Sequence, residues 1–441
     1  MNKRTRRIFE AGFSAIFSKG IVLLVNALSI PITVRYLGPE QFGVWITIST
    51  TLSLLVVLDL GVASALTNLI SEAYAKDSKE LASRYATSAF WMMVLIAVSL
   101  GLIGAALWPI IAWGSLFHLE GTAKILSASH AVATAYIVFL FGLPAGLAAK
   151  MLGGYQELRT ANIFAAIGSI ANLLGVVLVT RLHGGLSVLI GVSSGAAVAA
   201  NASCLVWLWS RHKPWLTPSR RYWSRTVARQ LMAGGSELFI LQLAGLIVFN
   251  SDNFVIAHYL GPIDVTPYSV TWKLVGYAAA LQIIVTPALW PAYAEAWVRG
   301  DVRWIRRTLA NVMAATIGVA LTASAVLLIW GKQIIALWAG APAVPSQSLI
   351  VAMCFWVVLS TFMGNTATVL SATNETRLQA WLSVLAAAVN LWGSIFLVQR
   401  IGSLGVILAT IASYLLILVV PQTWKVFTVL RSKAIPSVDP A

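Results

Sequence analysis

The sequence predicts an all-α polytopic membrane protein with twelve transmembrane helices in two six-helix lobes, related by a pseudo-two-fold axis along the membrane normal. Three observations support this prediction: apolar segments of membrane-spanning length, basic residues concentrated on alternate connections, and short motifs that recur in the second half of the chain. The 441 residues are 59% hydrophobic and only 10% charged, unlike an average soluble domain. The segments outside the apolar stretches are short and leave no room for a separate soluble catalytic domain. Duplicated helical halves are typical of secondary transporters, so we expect a membrane transporter and not an enzyme.

Twelve apolar segments each approach the roughly 20 residues that a helix needs to cross a bilayer. Hydrocarbon offers the backbone few alternatives to a helix, so each segment predicts one span. The eighth segment is the most polar, since it carries Lys273 and Gln282. The predicted spans are about 12–34, 42–68, 86–110, 127–149, 161–180, 185–209, 231–257, 266–290, 308–330, 346–370, 379–398 and 404–424.

The lysines and arginines predict the orientation. With the N-terminus inside, 23 lie on inner segments, 5 on outer connections, and Lys19 and Lys273 within spans, which together make the 30 of the chain. The positive-inside rule then places both termini in the cytoplasm. The formal net charge of +15 is explained by topology and by contact with anionic membrane lipids, so we expect no nucleic-acid partner.

Short motifs divide the chain into matching halves. Tyr-Leu-Gly-Pro at residues 36–39 returns at 259–262, and four other residues return 218 positions later. Each half holds six predicted spans, an even number, so both halves enter the membrane from the same side and the axis lies along the membrane normal. The four later matches are Glu157, Arg159, Asn172 and Gly175 with Glu375, Arg377, Asn390 and Gly393.

The longest polar connection sets the predicted domain boundaries. Residues 1–209 form the N-lobe with spans 1–6, residues 210–230 a basic cytoplasmic interlobe linker, and residues 231–441 the C-lobe with spans 7–12 and a short cytoplasmic tail. No phosphate loop of the form G-x-x-x-x-G-K-[ST] and no H-E-x-x-H motif occurs in the sequence. We therefore expect no cofactor, no metal site and no direct use of ATP.

Five ionisable residues fall within predicted spans: Lys19, Asp59, Glu237, Asp252 and Lys273. Such groups are costly in hydrocarbon and usually face the protein interior, which makes them candidates for function. Each lobe has one lysine and one aspartate on its first two helices. Two interpretations stay open: ion pairs within each lobe that fix helix packing, or a lysine that faces a central cavity and attracts an anionic substrate group.

Helical spacing favours a cavity-facing role for both lysines. Asn26 and Thr33 follow Lys19 at seven-residue steps on nearly the same face, and Lys273 shares its face with Thr266, Ser269 and Tyr277. Arg35, at the outer end of span one, is either part of the cavity mouth or an interfacial cation that extends to the headgroups. The predicted substrate-binding residues are therefore Lys19, Asn26, Arg35 and Lys273.

The three acids are candidates for ion coupling or for structural pairing. Glu237 has no evident lysine partner in its own lobe. It either carries a coupling proton or sodium ion, pairs with Lys19 across the cavity, or lies near the inner interface. Asp59 and Asp252 each have a lysine within a predicted span of the same lobe, so each could form a structural ion pair instead of coupling an ion.

The segment Arg35-Tyr-Leu-Gly-Pro-Glu-Gln-Phe-Gly-Val-Trp45, followed by Leu58-Asp-Leu-Gly-Val-Ala-Ser-Ala-Leu66, resembles the bacterial polysaccharide biosynthesis proteins. These are the O-antigen-type flippases of the multidrug/oligosaccharidyl-lipid/polysaccharide exporter superfamily. The resemblance implies a V-shaped pair of six-helix lobes in the bacterial cytoplasmic (inner) membrane. It also implies a flippase that moves undecaprenyl-pyrophosphate-linked oligosaccharide repeat units from the inner to the outer leaflet.

The same resemblance implies a cationic lining, with Arg35 and Asp59 inside the matching motif, whereas the two lysines are inferred from their positions. A polysaccharide polymerase and a chain-length regulator are candidate partners. Two alternatives remain. An ion-coupled multidrug exporter of the same superfamily is expected to present carboxylates to organic cations. A non-transporting scaffold of a polysaccharide assembly complex would not need the cavity cations.

Overall fold

A computed structural model describes residues 3–59, 61–233, 243, 250–373 and 375–432 of the chain. Every regular element within these ranges is helical. The chain divides into two compact units, Met1–Leu243 (unit 1) and Ala244–Ala441 (unit 2). Membrane-spanning helices dominate both units.

Within its described residues, unit 1 has nine α-helices and several single turns of other helical types. A 3₁₀ turn, Val56–Asp59, separates the first two helices, and a π-helical turn, Leu208–His212, follows the eighth. The helices are α1 (Lys3–Leu55), α2 (Val62–Ala75), α3 (Lys79–Leu107), α4 (Trp113–Leu116), α5 (Thr122–Ala145), α6 (Leu147–Gly154), α7 (Leu158–Arg181), α8 (Leu186–Trp207) and α9 (Arg225–Ala233).

Unit 2 has a similar succession of long helices within its described residues. A 3₁₀ turn, Tyr277–Ala279, interrupts its second span, and a π-helical turn, Tyr414–Val419, lies in its last. The helices are α10 (residues 250–259), α11 (Pro262–Gly276), α12 (Ala280–Val298), α13 (Val302–Ala339), α14 (Gln347–Ala372), α15 (Thr376–Ile401), α16 (Ser403–Ser413) and α17 (Val420–Ser432).

Nine helical segments within the described ranges are long and apolar enough to cross a bilayer. They correspond to predicted spans 1, 3–6 and 9–12. Predicted span 2 is divided, because its first half continues α1 and its second half is α2. Most of span 7 lies outside the described residues, and span 8 is interrupted at Tyr277–Ala279. The prediction of many membrane-crossing helices is therefore confirmed, whereas the number twelve stays a prediction.

The recurring Tyr-Leu-Gly-Pro motif adopts the same backbone bend in both units. Gly38, inside α1, has φ +74° and ψ 171°, and Gly261, directly before α11, has φ +95° and ψ 164°. A positive φ strains residues that carry a Cβ, so glycine is the residue that permits this bend. The proline that follows each glycine begins the next helix, where its missing N–H leaves no hydrogen bond unmade.

Close helix contacts also recur at the matching positions. A Cβ added at Gly175 of α7 would lie within 2.3 Å of the Val192 side chain of α8, and one at Gly393 of α15 within 3.2 Å of the Ala409 side chain of α16. Small residues let transmembrane helices approach closely, and packing then stabilises the pair in the absence of a hydrophobic driving force. The repeat in sequence therefore preserves one helix–helix contact in each unit.

Substituting Gly405 with alanine is expected to destabilise unit 2. A Cβ there would lie 2.5 Å from the backbone carbonyl of Leu397, so α15 and α16 would have to separate, at a cost of about 1–3 kcal/mol. The thermal unfolding midpoint of the purified protein measures this effect. Gly318→Ala is the control, because a Cβ at Gly318 of α13 meets no atom within 4 Å. Equal midpoints for the two variants would contradict the packing account.

The segment predicted as the interlobe linker is bonded to unit 1. The Ser83 hydroxyl donates to the carbonyl oxygen of Trp215 at 2.6 Å, and the Ser219 amide donates to Thr87 Oγ1 at 3.4 Å. The Ser224 amide likewise donates to the hydroxyl of Ser88. These bonds hold the chain against the first turns of α3, and the division between the two units falls later, after Leu243.

Candidate functional site

The second span of each unit is broken, and the break lies beside a charged residue singled out from the sequence. In unit 1 the 3₁₀ turn Val56–Asp59 ends with this residue, Asp59, and α2 begins after its N-cap Gly61. In unit 2 it is the 3₁₀ turn Tyr277–Ala279, one turn beyond Lys273. Interrupted helices in a membrane leave backbone groups without helical partners, so they are tolerated where protein or water satisfies those groups. Each unit therefore provides a candidate site beside the interruption of its second span.

Lys273 is half-buried on the last turn of α11. A cation there is stabilised by the partial negative charge at the helix C-terminus. α12 begins directly after the break, and no described side chain caps its first amides. The break thus combines an ammonium group with the amide end of a helix, and both attract anions.

The expected polar face around Lys273 is less open than the spacing indicates. Thr266 is fully buried and Ser269 is 2% exposed, with the Ser269 hydroxyl donating to the carbonyl oxygen of Val265 at 2.8 Å. Tyr277 is half-buried and its ring contacts that of Trp338 edge-on, with centroids 6.4 Å apart. Only the end of this face nearest the break, at Lys273 and Tyr277, is accessible.

In unit 1, Lys19 is half-buried and Asn26 is exposed, whereas Thr33 is fully buried. The adjacent Ser18 hydroxyl donates to the carbonyl oxygen of Asn162 at 2.9 Å, which places this part of α1 against α7. Seven-residue steps drift around a straight α-helix, and the face turns progressively into the contact with α7. The accessible polar face therefore ends before Thr33.

Arg35 is exposed at the end of the first span. The neighbouring Tyr36 hydroxyl donates to the carbonyl oxygen of Gly184 at 2.6 Å, which fixes this end of the span to the turn after α7. The backbone carrying Arg35 is thus held in place. Its role, at the cavity mouth or among headgroups, stays a prediction.

Asp59 caps the break in the second span. Its Oδ1 accepts the Gly61 amide at 2.8 Å, directly before α2, and the ammonium group of Lys150 exerts an electrostatic attraction on it. A carboxylate at a helix N-terminus satisfies orphan amides and interacts favourably with the helix dipole. The geometry gives Asp59 a structural role at the start of α2.

Asp59→Ala is expected to lower the stability of the protein by about 0.5–2 kcal/mol, whereas Asp59→Asn, which keeps an acceptor oxygen, is expected to remain close to wild type. Unfolding midpoints of both variants check this. Asp301→Ala is the control, since Asp301 caps α13 outside the membrane spans by accepting from the Trp304 amide at 3.0 Å. If Asp59→Asn folds normally but no longer transports, the charge is instead needed for ion coupling.

Asp252 lies in α10 and is 3% exposed. Its Oδ2 accepts a hydrogen bond from the hydroxyl of Tyr268 at 2.5 Å, and its Oδ1 is buried with no hydrogen-bond donor in the described part of the chain. The observed partner of Asp252 is therefore Tyr268 of α11, five residues before Lys273. Glu237, the third candidate acid, lies outside the described residues.

The most connected charged cluster lies outside the spans and was not predicted as a site. Glu157, the residue before α7, binds Lys213 Nζ at 3.0 Å and His212 Nε2 at 2.6 Å. Lys213 is 8% exposed, and its ammonium lies 4.3 Å from the ring centroid of Tyr155. This cluster, residues 155, 157, 212 and 213, joins the start of α7 to the segment that follows α8.

Unit 2 has a counterpart at the equivalent place. Glu375 directly precedes α15 with φ −101° and ψ 45°, close to the −106° and 37° of Glu157. Lys425 of α17 binds it at 3.1 Å. The two glutamates are 218 positions apart, which is the offset of the repeat, but Lys213 and Lys425 are 212 positions apart. The 218-residue repeat therefore does not align the two lysines and does not indicate the ion pairs.

The environment of Glu157 favours its charged form. Partial burial by itself would raise the pKa of this carboxyl, but the hydrogen bonds and positive charges of His212 and Lys213 outweigh that effect and lower the pKa from its ordinary value of 4.5. The carboxylate therefore remains ionised at neutral pH and acts as a fixed negative anchor.

The family described as "Polysaccharide biosynthesis protein" matches residues 9–297, more than half of the chain. The chain belongs to this family. The resemblance carried by residues 35–45 and 58–66 is thereby confirmed. A protein of Salmonella typhimurium (strain LT2) described as "Putative O-antigen transporter" is 25% identical over 298 residues, which is 65% of this chain and 65% of the relative. The match therefore spans just under two thirds of that relative's length.

Solved structures show the fold of this family member. An inward-facing structure of a multidrug resistance MATE family transporter of the MOP superfamily matches 96% of this chain and 99% of its own, with a TM-score of 0.80 and 16% identity. A MOP superfamily transporter from Pyrococcus furiosus, described as having a binding pocket of reversed polarity, matches 97% and 96% with a TM-score of 0.70 and 15% identity. The chain thus has the all-helical fold of these transporters and is a multi-pass membrane protein.

Proposed function

We propose that the protein is a flippase that moves undecaprenyl-pyrophosphate-linked oligosaccharide repeat units from the inner to the outer leaflet of the cytoplasmic membrane by alternating access. The proposal includes twelve spans in two lobes related along the membrane normal, with both termini in the cytoplasm. It also includes a polysaccharide polymerase and a chain-length regulator as partners. Membership of the polysaccharide biosynthesis family supports the glycan, and the transporter fold supports movement.

The observation that carries the proposal is the half-buried Lys273 at the break between α11 and α12. A diphosphate in hydrocarbon needs cationic partners, and an ammonium group provides charge-assisted hydrogen bonds. The N-terminus of α12, which no side chain of its N-cap residue Ala279 caps, also attracts an anion. Lys19 and Asn26 in unit 1 supply a second accessible polar surface that suits the phosphate and sugar hydroxyls.

In this mechanism the isoprenyl tail stays in lipid while the pyrophosphate and sugars cross through enclosed water. Lys19, Lys273 and Arg35 hold the pyrophosphate, and Asn26 binds polar groups next to it. Asp59 stabilises the backbone at the break in the second span, because it caps the start of α2. Movement of one lobe against the other would then expose the bound headgroup to each side in turn.

The test is a flipping assay with the purified full-length chain in liposomes. Undecaprenyl pyrophosphate carrying a labelled oligosaccharide is placed in one leaflet, and its loss of protection from a membrane-impermeant reagent is followed with time. We expect faster exposure than in protein-free liposomes. No acceleration, combined with efflux of a cationic dye, would favour the multidrug exporter. Acceleration of neither substrate, with the polymerase still co-purifying, would favour the scaffold.

A further inference from the structure

A groove at the basic end of unit 2 has the features of a lipid site that is separate from the proposed transport path. Its volume is about 940 Å³, within the range of ligand pockets, and α13, α14 and α17 form its walls. The α13 wall is one continuous helix face, because its lining residues follow helical spacing. They are Arg306, Leu309, Ala310 and Met313.

The charges of the groove lie at one end. Arg306 is on the second turn of α13 and Arg431 is near the end of α17, and the two antiparallel helices bring these turns together. The Arg306 guanidinium donates to the Leu430 carbonyl oxygen at 2.8 Å, which places it beside the backbone next to Arg431. Both arginines are exposed, and neither forms an ion pair with an acidic residue in the described ranges.

The remainder of the groove is apolar. From Arg306 to Met313 the α13 wall extends about 10 Å, and the α17 wall from Arg431 to Thr423 about 12 Å, at 1.5 Å per residue. Phe362 of α14 and Phe427 of α17 line the same space, and Phe427 is 72% exposed. The groove thus has two cations at one end and a hydrophobic channel beyond them.

One polar atom in the apolar part points to a ligand. The Thr423 hydroxyl lines the groove and is buried, with no hydrogen-bond partner in the described part of the chain. By contrast, the hydroxyls of Thr366 and Thr428, which also line it, donate to backbone carbonyls at 2.8 and 2.9 Å. A buried hydroxyl without a partner is unfavourable unless a bound molecule supplies an acceptor.

We propose that this groove binds an anionic phospholipid, with the phosphate between Arg306 and Arg431, an ester carbonyl at Thr423 and an acyl chain along Met313, Phe362 and Phe427. Arginine forks match phosphate geometry and form charge-assisted hydrogen bonds. The basic ends of membrane proteins face the cytoplasmic leaflet, and anionic lipids are attracted to such clusters. The site does not depend on the transported substrate, because no residue of the proposed transport path lines the groove.

The first experiment compares lipids of different headgroup charge on the purified full-length protein. Its thermal unfolding midpoint is measured with increasing dioleoylphosphatidylglycerol or dioleoylphosphatidylcholine in mixed micelles. We expect a saturable rise with the anionic lipid only. Arg431→Gln should weaken the apparent affinity for that lipid roughly tenfold, the loss of one charge-assisted contact. Arg303→Gln, an exposed arginine of α13 outside the groove, is the matched control and should leave the affinity unchanged.

Substitutions at Arg306 can also impair folding, because its guanidinium bonds to the Leu430 carbonyl oxygen, and even Arg306→Lys, which keeps the charge, weakens that bond. Arg431→Gln is therefore the decisive variant. Ala310→Trp fills the apolar part and should abolish the lipid effect with both arginines present. Equal stabilisation by the two lipids, or equal losses in Arg431→Gln and Arg303→Gln, would overturn the proposal. A comparable rise with inorganic phosphate alone would show an ion site instead. Much tighter lipid binding after deletion of residues 434–441 would identify the C-terminal segment as the groove's occupant.

Discussion

Replacing Lys273 with alanine is expected to slow glycan-lipid flipping roughly ten- to a hundred-fold while the protein still folds and inserts. One charge-assisted hydrogen bond contributes about 1.5–3 kcal/mol, and its loss weakens the hold on the pyrophosphate by that amount. Lys273→Arg should retain much of the rate, because the cation remains at the break between α11 and α12. The measurement is the initial flipping rate in liposomes at matched protein density.

Lys19→Ala is expected to slow flipping by a similar factor, since the half-buried Lys19 is the cation proposed to meet the pyrophosphate in unit 1. Lys332→Ala is the matched control for both variants. It removes an exposed lysine near the end of α13 and should keep the wild-type rate. Wild-type rates in both Lys19→Ala and Lys273→Ala would remove the two lysines from the substrate path.

Substituting Glu157 with glutamine is expected to destabilise the protein by about 1–3 kcal/mol. Lys213 would lose its carboxylate while its side chain stays 10% exposed, and a poorly solvated charge without a partner is costly. Glu375→Gln should cost less, because the side chains of Lys425 and Glu375 are 27% and 43% exposed. Thermal unfolding of the purified variants gives the comparison.

Glu80→Gln is the control for this pair of substitutions. Its partner Arg84 is an exposed neighbour one helix turn away, so a change beyond about 0.5 kcal/mol is not expected. Lys213→Met should recover part of the stability of the Glu157→Gln variant, since it removes the stranded charge. The account fails if Glu157→Gln and Glu80→Gln unfold at the same temperature.

The pH dependence of stability supplies an independent check. The folded protein lowers the pKa of Glu157 below 4.5, so the stabilisation is fully present above pH 4.5 and is lost as the pH falls through the lower folded value. Wild-type and Glu157→Gln midpoints should therefore differ most at neutral pH and converge in acid. A constant difference down to the most acidic measurable condition would argue against the ion pair.

Much of the fold was predictable because hydrocarbon imposes a simple rule on the backbone. The apolar segments predicted spans 1, 3–6 and 9–12 well. The recurrence of Tyr-Leu-Gly-Pro marked two equivalent positions, Gly38 and Gly261, and both adopt a positive φ. The breaks in the second spans were not predicted, since single 3₁₀ turns leave no change in hydrophobicity. From the sequence alone, Asp59 could equally be an ion-pair partner of a lysine within a predicted span of the same lobe. In the structure it accepts the Gly61 amide and caps α2.

The candidate site was less accessible to sequence reasoning, because contacts between distant residues decide it. Lys213 and Glu157 are 56 positions apart, and nothing in their local sequence links them. Seven-residue steps placed Thr33 on the same face as Lys19, but Thr33 is fully buried and its hydroxyl donates to the carbonyl oxygen of Ser29 at 2.7 Å. The partner of Asp252 is the hydroxyl of Tyr268, and a neutral partner 16 positions away leaves no charge pattern in the sequence.

Helix α14 has a consequence for how the protein is made. Two thirds of the residues in its most apolar stretch are buried, and the Asn365 amide donates to Thr316 of α13 at 2.9 Å. The Gln422 amide of α17 reaches it from the other side, donating to Thr366 at 2.8 Å. A nascent chain that stops after residue 372 would lack Gln422 and the packing of α17 against α14. Residues up to about 422 must therefore be synthesised before α14 reaches its final packing. Truncation between residues 372 and 422 should expose α14 to quality-control proteases.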